Sequence, residues 1–318
     1  MCIFSQPVMT VNKTRIFART TSASSQFLVY QMNYESRDEN AMILPLPVRR
    51  PANDDNVQFI NLEAYPKFFD ELDDGFPYSR SQGIGCSAGP VADSRSGLAV
   101  FEVGNYLASF VPSLADFSRL DPRFVLPEET WAQIPQYQDY GFAVFQLASG
   151  AIQPHPMALE FATALRDSIY FPTMHIHDGE VHKSEEFDHV LYLQHAGFDS
   201  QVHGYINSDV ADSATGLVRS KHVAKNFTDV DRASGVVLPD LLVHRQIVRG
   251  ELLNQDIEIA TTGDPTYPAL NFRWLKPLAP WMLGAAAVGW FLMRRAKIRK
   301  RQSEDRSAAD VAPRSEDD

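Results

Sequence analysis

The sequence predicts an α+β fold: a mainly antiparallel β domain with a few short helices, followed by one C-terminal transmembrane helix. Three observations predict it. Runs rich in β-branched and aromatic residues recur as far as Ala260, separated by Gly, Pro, Ser and Asp breaks. The helical patterns between them are short. An uncharged stretch, Leu278–Met293 (LAPWMLGAAAVGWFLM), is closed by Arg294, Arg295, Lys297, Arg299, Lys300 and Arg301. That is the form of a membrane anchor with a basic collar. The regular βα alternation of a doubly wound nucleotide-binding sheet is absent.

The first strands are predicted at Thr14–Arg19 (TRIFAR) and Gln26–Tyr34 (QFLVYQMNY), with Ser22–Ser25 as the hairpin loop. Ala41–Val48 (AMILPLPV) follows. Pro45 and Pro47 cannot donate ladder hydrogen bonds, so this run is expected at a sheet edge or as an extended segment. Val57–Leu62 alternates like a strand, and Tyr65–Leu72 (YPKFFDEL) reads as a short helix with Pro66 in its first turn. Ser79–Ser96 reads as loop. Two strands are expected around the Gly104–Asn105 turn, and helical turns at Ser113–Arg119 and Glu128–Gln136. Further strands are predicted at Tyr140–Leu147, Ala158–Phe161, Ser168–Ile176, Phe187–Gln194, within Val236–Val248, and at Asp256–Ala260.

The expected organisation is a β-rich globular domain over residues 1–270, with a subdomain break near 113–138, a transmembrane helix over 277–294, and a basic collar with a disordered tail over 295–318. A bilayer core needs roughly 17–25 helical residues. Counting from Pro277 and letting Arg294 and Arg295 reach to the interface brings the anchor into that range. Trp274, Trp281 and Trp290 lie at or near its ends, where aromatic rings prefer to sit. The expected localisation is therefore a single-pass membrane protein. The side of the globular domain stays open. The positive-inside rule puts it outside, whereas the N-terminus MCIFSQPVMTVNKTR lacks the marks of a signal peptide and puts it in the cytoplasm. Cys2 and Cys86 fit either side, as one disulfide or as two thiols.

The chain has 318 residues, 44% hydrophobic and 22% charged, with a net charge of −11. That charge argues against a general nucleic-acid binder, which needs a basic surface against phosphate. The partners predicted are the membrane, through Leu278–Met293, and no nucleic acid; no protein partner is assigned.

Six of the nine histidines fall in one stretch: His175, His177, His182, His189, His195 and His203. On a strand continuing to His177, His175 and His177 share a face and can share a metal. Asp178, Glu180, Glu186 and Asp188 could add oxygen ligands. The H-x-H followed by an acid resembles the first metal motif of cupins, and His222-Val-Ala-Lys-Asn226 resembles their second. The acid, Glu180, comes two residues early; the preceding glycine is missing, and no P-x-G precedes His222. The candidate metal set is His175, His177, His182 and His222, for a divalent transition metal. The bland reading is a solvated hairpin loop at His177–Glu186, with His189 an ordinary strand residue. Gly83–Gly89 lacks both the phosphate-loop Lys-Ser/Thr and the G-x-G-x-x-G spacing. No G-x-S-x-G, H-E-x-x-H or C-x-x-C occurs.

A cysteine near the start, TRIFAR, Leu28–Met32 (LVYQM), AMILPLPV, the later YGFAVFQL, and Tyr170-Phe171-Pro172 together resemble a family of bacterial proteins of unknown function. The resemblance implies an exported β-rich domain closed by a C-terminal hydrophobic helix with basic residues. It implies no enzyme activity and no assigned binding residues.

Three functions are expected in order. The first is a single-pass membrane-anchored binding or structural module, with no catalytic role. The second is a metal-dependent, cupin-like enzyme using the His175–His203 stretch. The third is a cytoplasmic domain that docks on a partner through its C-terminal helix.

Overall fold

The computed structural model describes residues 3–22, 24–53, 56–76, 100–104, 106–203 and 216–261. All belong to the first of the two units into which the chain divides, Met1–Leu270. The strands in chain order are β1 (Ile3–Phe4), β2 (Thr10–Thr20), β3 (Ser25–Ser36), β4 (Asn40–Leu46), β5 (Val57–Asn61), β6 (Val100–Val103), β7 (Tyr106–Val111) and β8 (Gly141–Leu147). They continue as β9 (Gly150–Ile152), β10 (Met157–Ala162), β11 (Ser168–Phe171), β12 (Ser184–Gln194), β13 (Val218–Arg219), β14 (His244–Leu253) and β15 (Ile257–Ala260). The α-helices are α1 (Phe68–Asp74), α2 (Glu128–Ala132) and α3 (Ala196–Gln201).

A five-stranded sheet runs β1-β4-β8-β7-β6, and an eight-stranded sheet runs β13-β14-β12-β2-β3-β10-β5, with β9 also on β3. β11 and β15 form a separate pair. Among these strands the pairing is antiparallel except between β2 and β12, where Val190 lies opposite Arg15 and Gln194 opposite Arg19.

Alternation along the strands explains the layers. Met42, Leu44 and Leu46 of β4 and Ala143, Phe145 and Leu147 of β8 face the core between the two large sheets. Ile16, Leu28, Tyr30 and Leu191 meet them from the eight-stranded sheet. The intervening residues Ile43, Phe142 and Val144 face outward and are covered by Phe117, Phe124, Ile134 and Tyr137. On the far side of the eight-stranded sheet, Phe17, Val29 and Tyr192 are covered by Phe68, Phe69 and Leu72 of α1. The central strands of both sheets are thus buried on both faces. That is why AMILPLPV and YGFAVFQL are continuous apolar runs rather than alternating ones.

Among the described residues, the structure corrects the expectation of an α+β fold carrying a transmembrane helix, and with it that of a single-pass membrane protein. The architecture is mainly β. Among the described residues its α-helices are 7, 5 and 6 residues long, at most about 10 Å against a bilayer core of about 30 Å. No helix among the described residues is long and apolar enough to cross a membrane. The stretch Leu278–Met293, the collar, Ser79–Ser96, Cys2 and Cys86 lie outside the described residues.

Two strands also differ from expectation. β4 is an interior strand between β1 and β8. Its partner β1 reaches only Met42 and Ile43, so Pro45 is paired on one side alone, opposite Phe142. The rule that keeps proline at unpaired edges therefore holds residue by residue. β11 stops at Phe171, just before Pro172, and does not continue to Ile176. Residues 113–138, where a subdomain break is expected, cover the outer face of the five-stranded sheet.

Candidate functional site

The segment after β11 accepts hydrogen bonds from Phe4 N–H of β1 at Ile176 O (3.0 Å) and from Val8 N–H, between β1 and β2, at His177 O (2.9 Å). Asn254, in the turn between β14 and β15, holds it from the other side. Its Oδ1 accepts from His175 N–H at 2.7 Å, and its Nδ2 donates to the carbonyls of His175 (2.8 Å) and His182 (3.1 Å). A single amide thus fixes both ends of the His175–His182 loop.

Within this frame three imidazoles form a stack. His175 and His177 have ring centroids 5.2 Å apart and planes 16° from parallel. His189 of β12 stacks on His175 as well, at 5.1 Å and 11°. Phe187 packs against His175 at 4.4 Å, and Phe4 against His177 at 6.0 Å. His175 and His189 are fully buried. Burial disfavours the charged ring: it lowers His177 to about 4 and pushes His175 down further still. Nε2 of His177 is buried without a hydrogen-bond partner among the described residues.

The stack unites two members of the predicted metal set, His175 and His177, although the strand expected to align them is absent. It leaves out the other two. His182 turns its Nε2 to Asp178 Oδ2 at 2.9 Å, and its side chain is 42% exposed. That hydrogen bond raises the His182 pKa. His222 lies exposed in the turn after β13, where its carbonyl accepts from Ser220 Oγ at 2.7 Å. An imidazole lone pair lies in the ring plane, and zinc needs donors converging at about 2.0–2.1 Å. Near-parallel rings aim their lone pairs along near-parallel planes instead. No group of three or more His, Cys, Asp or Glu among the described residues is arranged to hold a metal ion.

A second cluster escaped the sequence reading. The Asp256 carboxylate accepts from Tyr137 Oη (2.7 Å), Tyr170 Oη (2.5 Å), Thr173 N–H (2.8 Å) and Met174 N–H (2.9 Å). Burial raises its pKa, and the four donors oppose that rise. A third cluster holds α1: Asp73 Oδ1 accepts from Tyr192 Oη (2.6 Å) and from the guanidinium of buried Arg245 (3.2 Å). Burial raises the Asp73 pKa against both partners. Buried Arg19 donates to the carbonyls of Val236 (2.9 Å) and Gly235 (2.7 Å). The only local signals for Asp256 are its place at the head of a strand and the Tyr170-Phe171-Pro172 run; the pairing between them is long-range.

No family model matches the chain. Among solved structures it is similar to baculovirus P35, at 14% identity over 81% of this chain and 99% of that one, with a TM-score of 0.38. It is similar to a mutated baculovirus P35 after caspase cleavage, at 14% identity, 78% and 99% coverage, and a TM-score of 0.41. A chain of the caspase-8/P35 complex matches at 13% identity, 78% and 96% coverage, and a TM-score of 0.35. At these TM-scores the likeness assigns neither a shared fold nor an activity.

Proposed function

We propose that the described domain is a binding or structural module rather than an enzyme. The observation that carries this reading is the Asp256 carboxylate. A sequestered carboxylate is the kind of group that serves as a general base when it faces substrate. Here four donors from two tyrosines and two backbone amides enclose it, and it joins the 135–137 turn to the segment after β11. Asp73 and Arg19 do the same for α1 and for residues 235–236. The charged groups inside the fold act as fasteners, which suits a rigid scaffold that presents its surface. The net charge of −11 favours a protein or small-molecule partner over a polyphosphate backbone.

Metal analysis of the full chain, purified without chelators, tests this against the enzyme reading. The expected result is no stoichiometric zinc, iron, manganese or copper. A retained metal that is lost on replacing His175 and His177 together would overturn the proposal in favour of a metalloenzyme.

A further inference from the structure

α3 follows β12 directly, and its Phe198, with Val202 just beyond, is fully buried in the core between the sheets. The residue that opens the helix is His195. Its backbone is extended (φ −157°), and its ring Nδ1 accepts a hydrogen bond from Gly197 N–H at 3.2 Å. Ser, Thr, Asp and Asn ordinarily fill this place, and their oxygens accept at every pH near neutrality. An imidazole nitrogen accepts only while it carries no proton. The cap therefore exists only for a neutral ring with its hydrogen on Nε2. The Phe198 ring meets two imidazoles edge to face, 5.4 Å from the His195 ring and 5.8 Å from that of His244. We propose that α3 is an acid-released latch, capped by His195 at neutral pH and uncapped when that ring takes up a proton.

Among the described residues, the charged and titratable groups around His195 come from three elements: Asp199 on α3 itself, His244 on β14 and Arg219 on β13. Asp199 Oδ2 already accepts from Leu242 N–H at 3.1 Å, and its Oδ1 stands 3.6 Å from His244 Nε2. Asp199 favours charge on His195, but burial opposes it and is the larger effect, so the His195 pKa lies below its ordinary 6.5. The sign follows: stabilisation by the cap is complete above that ordinary value and is lost as pH falls through the folded-state value. Uncapping orphans the Gly197 N–H. The cost of losing a helix cap corresponds to roughly a 3- to 30-fold increase in opening of the helix. Opening brings Phe198 and Val202 into water. The inference holds whether or not the domain is a binding module.

Hydrogen-exchange protection of the Gly197–Val202 amides in the full chain, corrected for intrinsic exchange, tests it at about pH 7.5 and about pH 5. The expected result is a roughly 3- to 30-fold loss of protection at the lower pH that depends on the His195 ring. His195→Asn caps without titrating and should hold α3 protection constant between the two conditions. His195→Ser serves the same purpose should the Asn variant fail to fold. His244→Gln should leave the wild-type response in place. Constant protection in the wild type, or a pH response that survives His195→Asn, would overturn the proposal.

Discussion

The imidazole of His175 stacks on that of His189, with ring centroids 5.1 Å apart and planes 11° from parallel. The contact ties the segment after β11 to the middle of β12 through two rings that the interior keeps neutral or excludes from solvent. Such an interior is acid-sensitive. His177 and His244 are each lowered by burial to about 4 from an ordinary 6.5. Between those values the unfolded chain binds more protons than the folded one, so stability falls as pH drops from about 6.5 to about 4. Each ring accounts for about 3 kcal/mol across that window. Urea unfolding at a series of pH values should show the loss, and His244→Gln should reduce it by one ring's share, about 3 kcal/mol. A flat stability profile over this range would rule out neutral buried histidines.

Asp256→Asn replaces an acceptor of four hydrogen bonds with a group that must turn an NH₂ toward donors. The expected loss is about 2–3 kcal/mol, read as a lower urea midpoint with an unchanged slope. Tyr170→Phe removes one of the donors and should cost less. Equal losses would mean that Asp256 contributes nothing beyond its bond to Tyr170.

Lys13 sits at φ 54° where the β2–β3 register shifts between Asn12 and Arg15. Its N–H donates to Asp188 Oδ2 at 2.6 Å, and the residue is exposed. Glycine adopts this conformation without the Cβ penalty, so Lys13→Gly should stabilise the domain by about 0.5–1 kcal/mol. Thermal unfolding checks the sign; destabilisation would mean that the lysine side chain makes a contribution the bulge geometry does not reveal.

Gly141 opens β8 where the chain passes close to a buried ring. A Cβ there would meet Phe110 at 2.7 Å and Val48 at 3.0 Å. Gly141→Ala should cost about 1–3 kcal/mol through overpacking. Pairing it with Phe110→Leu should recover part of that loss, and a double variant no more stable than the single one would place the strain elsewhere.

The strands were legible where burial on both faces wrote an unbroken apolar run, as in β4 and β8, or where a hairpin closed locally, as between β2 and β3. β11 was overextended because Pro172-Thr173-Met174 keeps a strand-like composition, while its backbone donors serve Asp256 instead of a neighbouring strand. The closeness of His175 and His177 was readable from their spacing. The third ring was not, because His189 reaches them only through the placement of β12 beside β2. Likewise Asp256 meets Tyr137 across 119 positions of chain, a pairing no local pattern encodes. His182 and His222 looked like ligands by residue type; a nearby Asp178 and an exposed turn claim them.

The parallel pairing of β2 with β12 also dictates the order in which this chain can fold. Lys13 meets Asp188 across a separation of 175 residues, and β2 is flanked on its other side only by the β3 of its own hairpin. The early hairpin therefore leaves one long edge open until β12 has been made. Closing so large a loop is entropically costly and slow compared with local pairing. During synthesis the N-terminal third must wait, with an exposed strand edge, for residues that emerge much later. Fragments ending before β12 should collect as aggregates rather than as small folded domains.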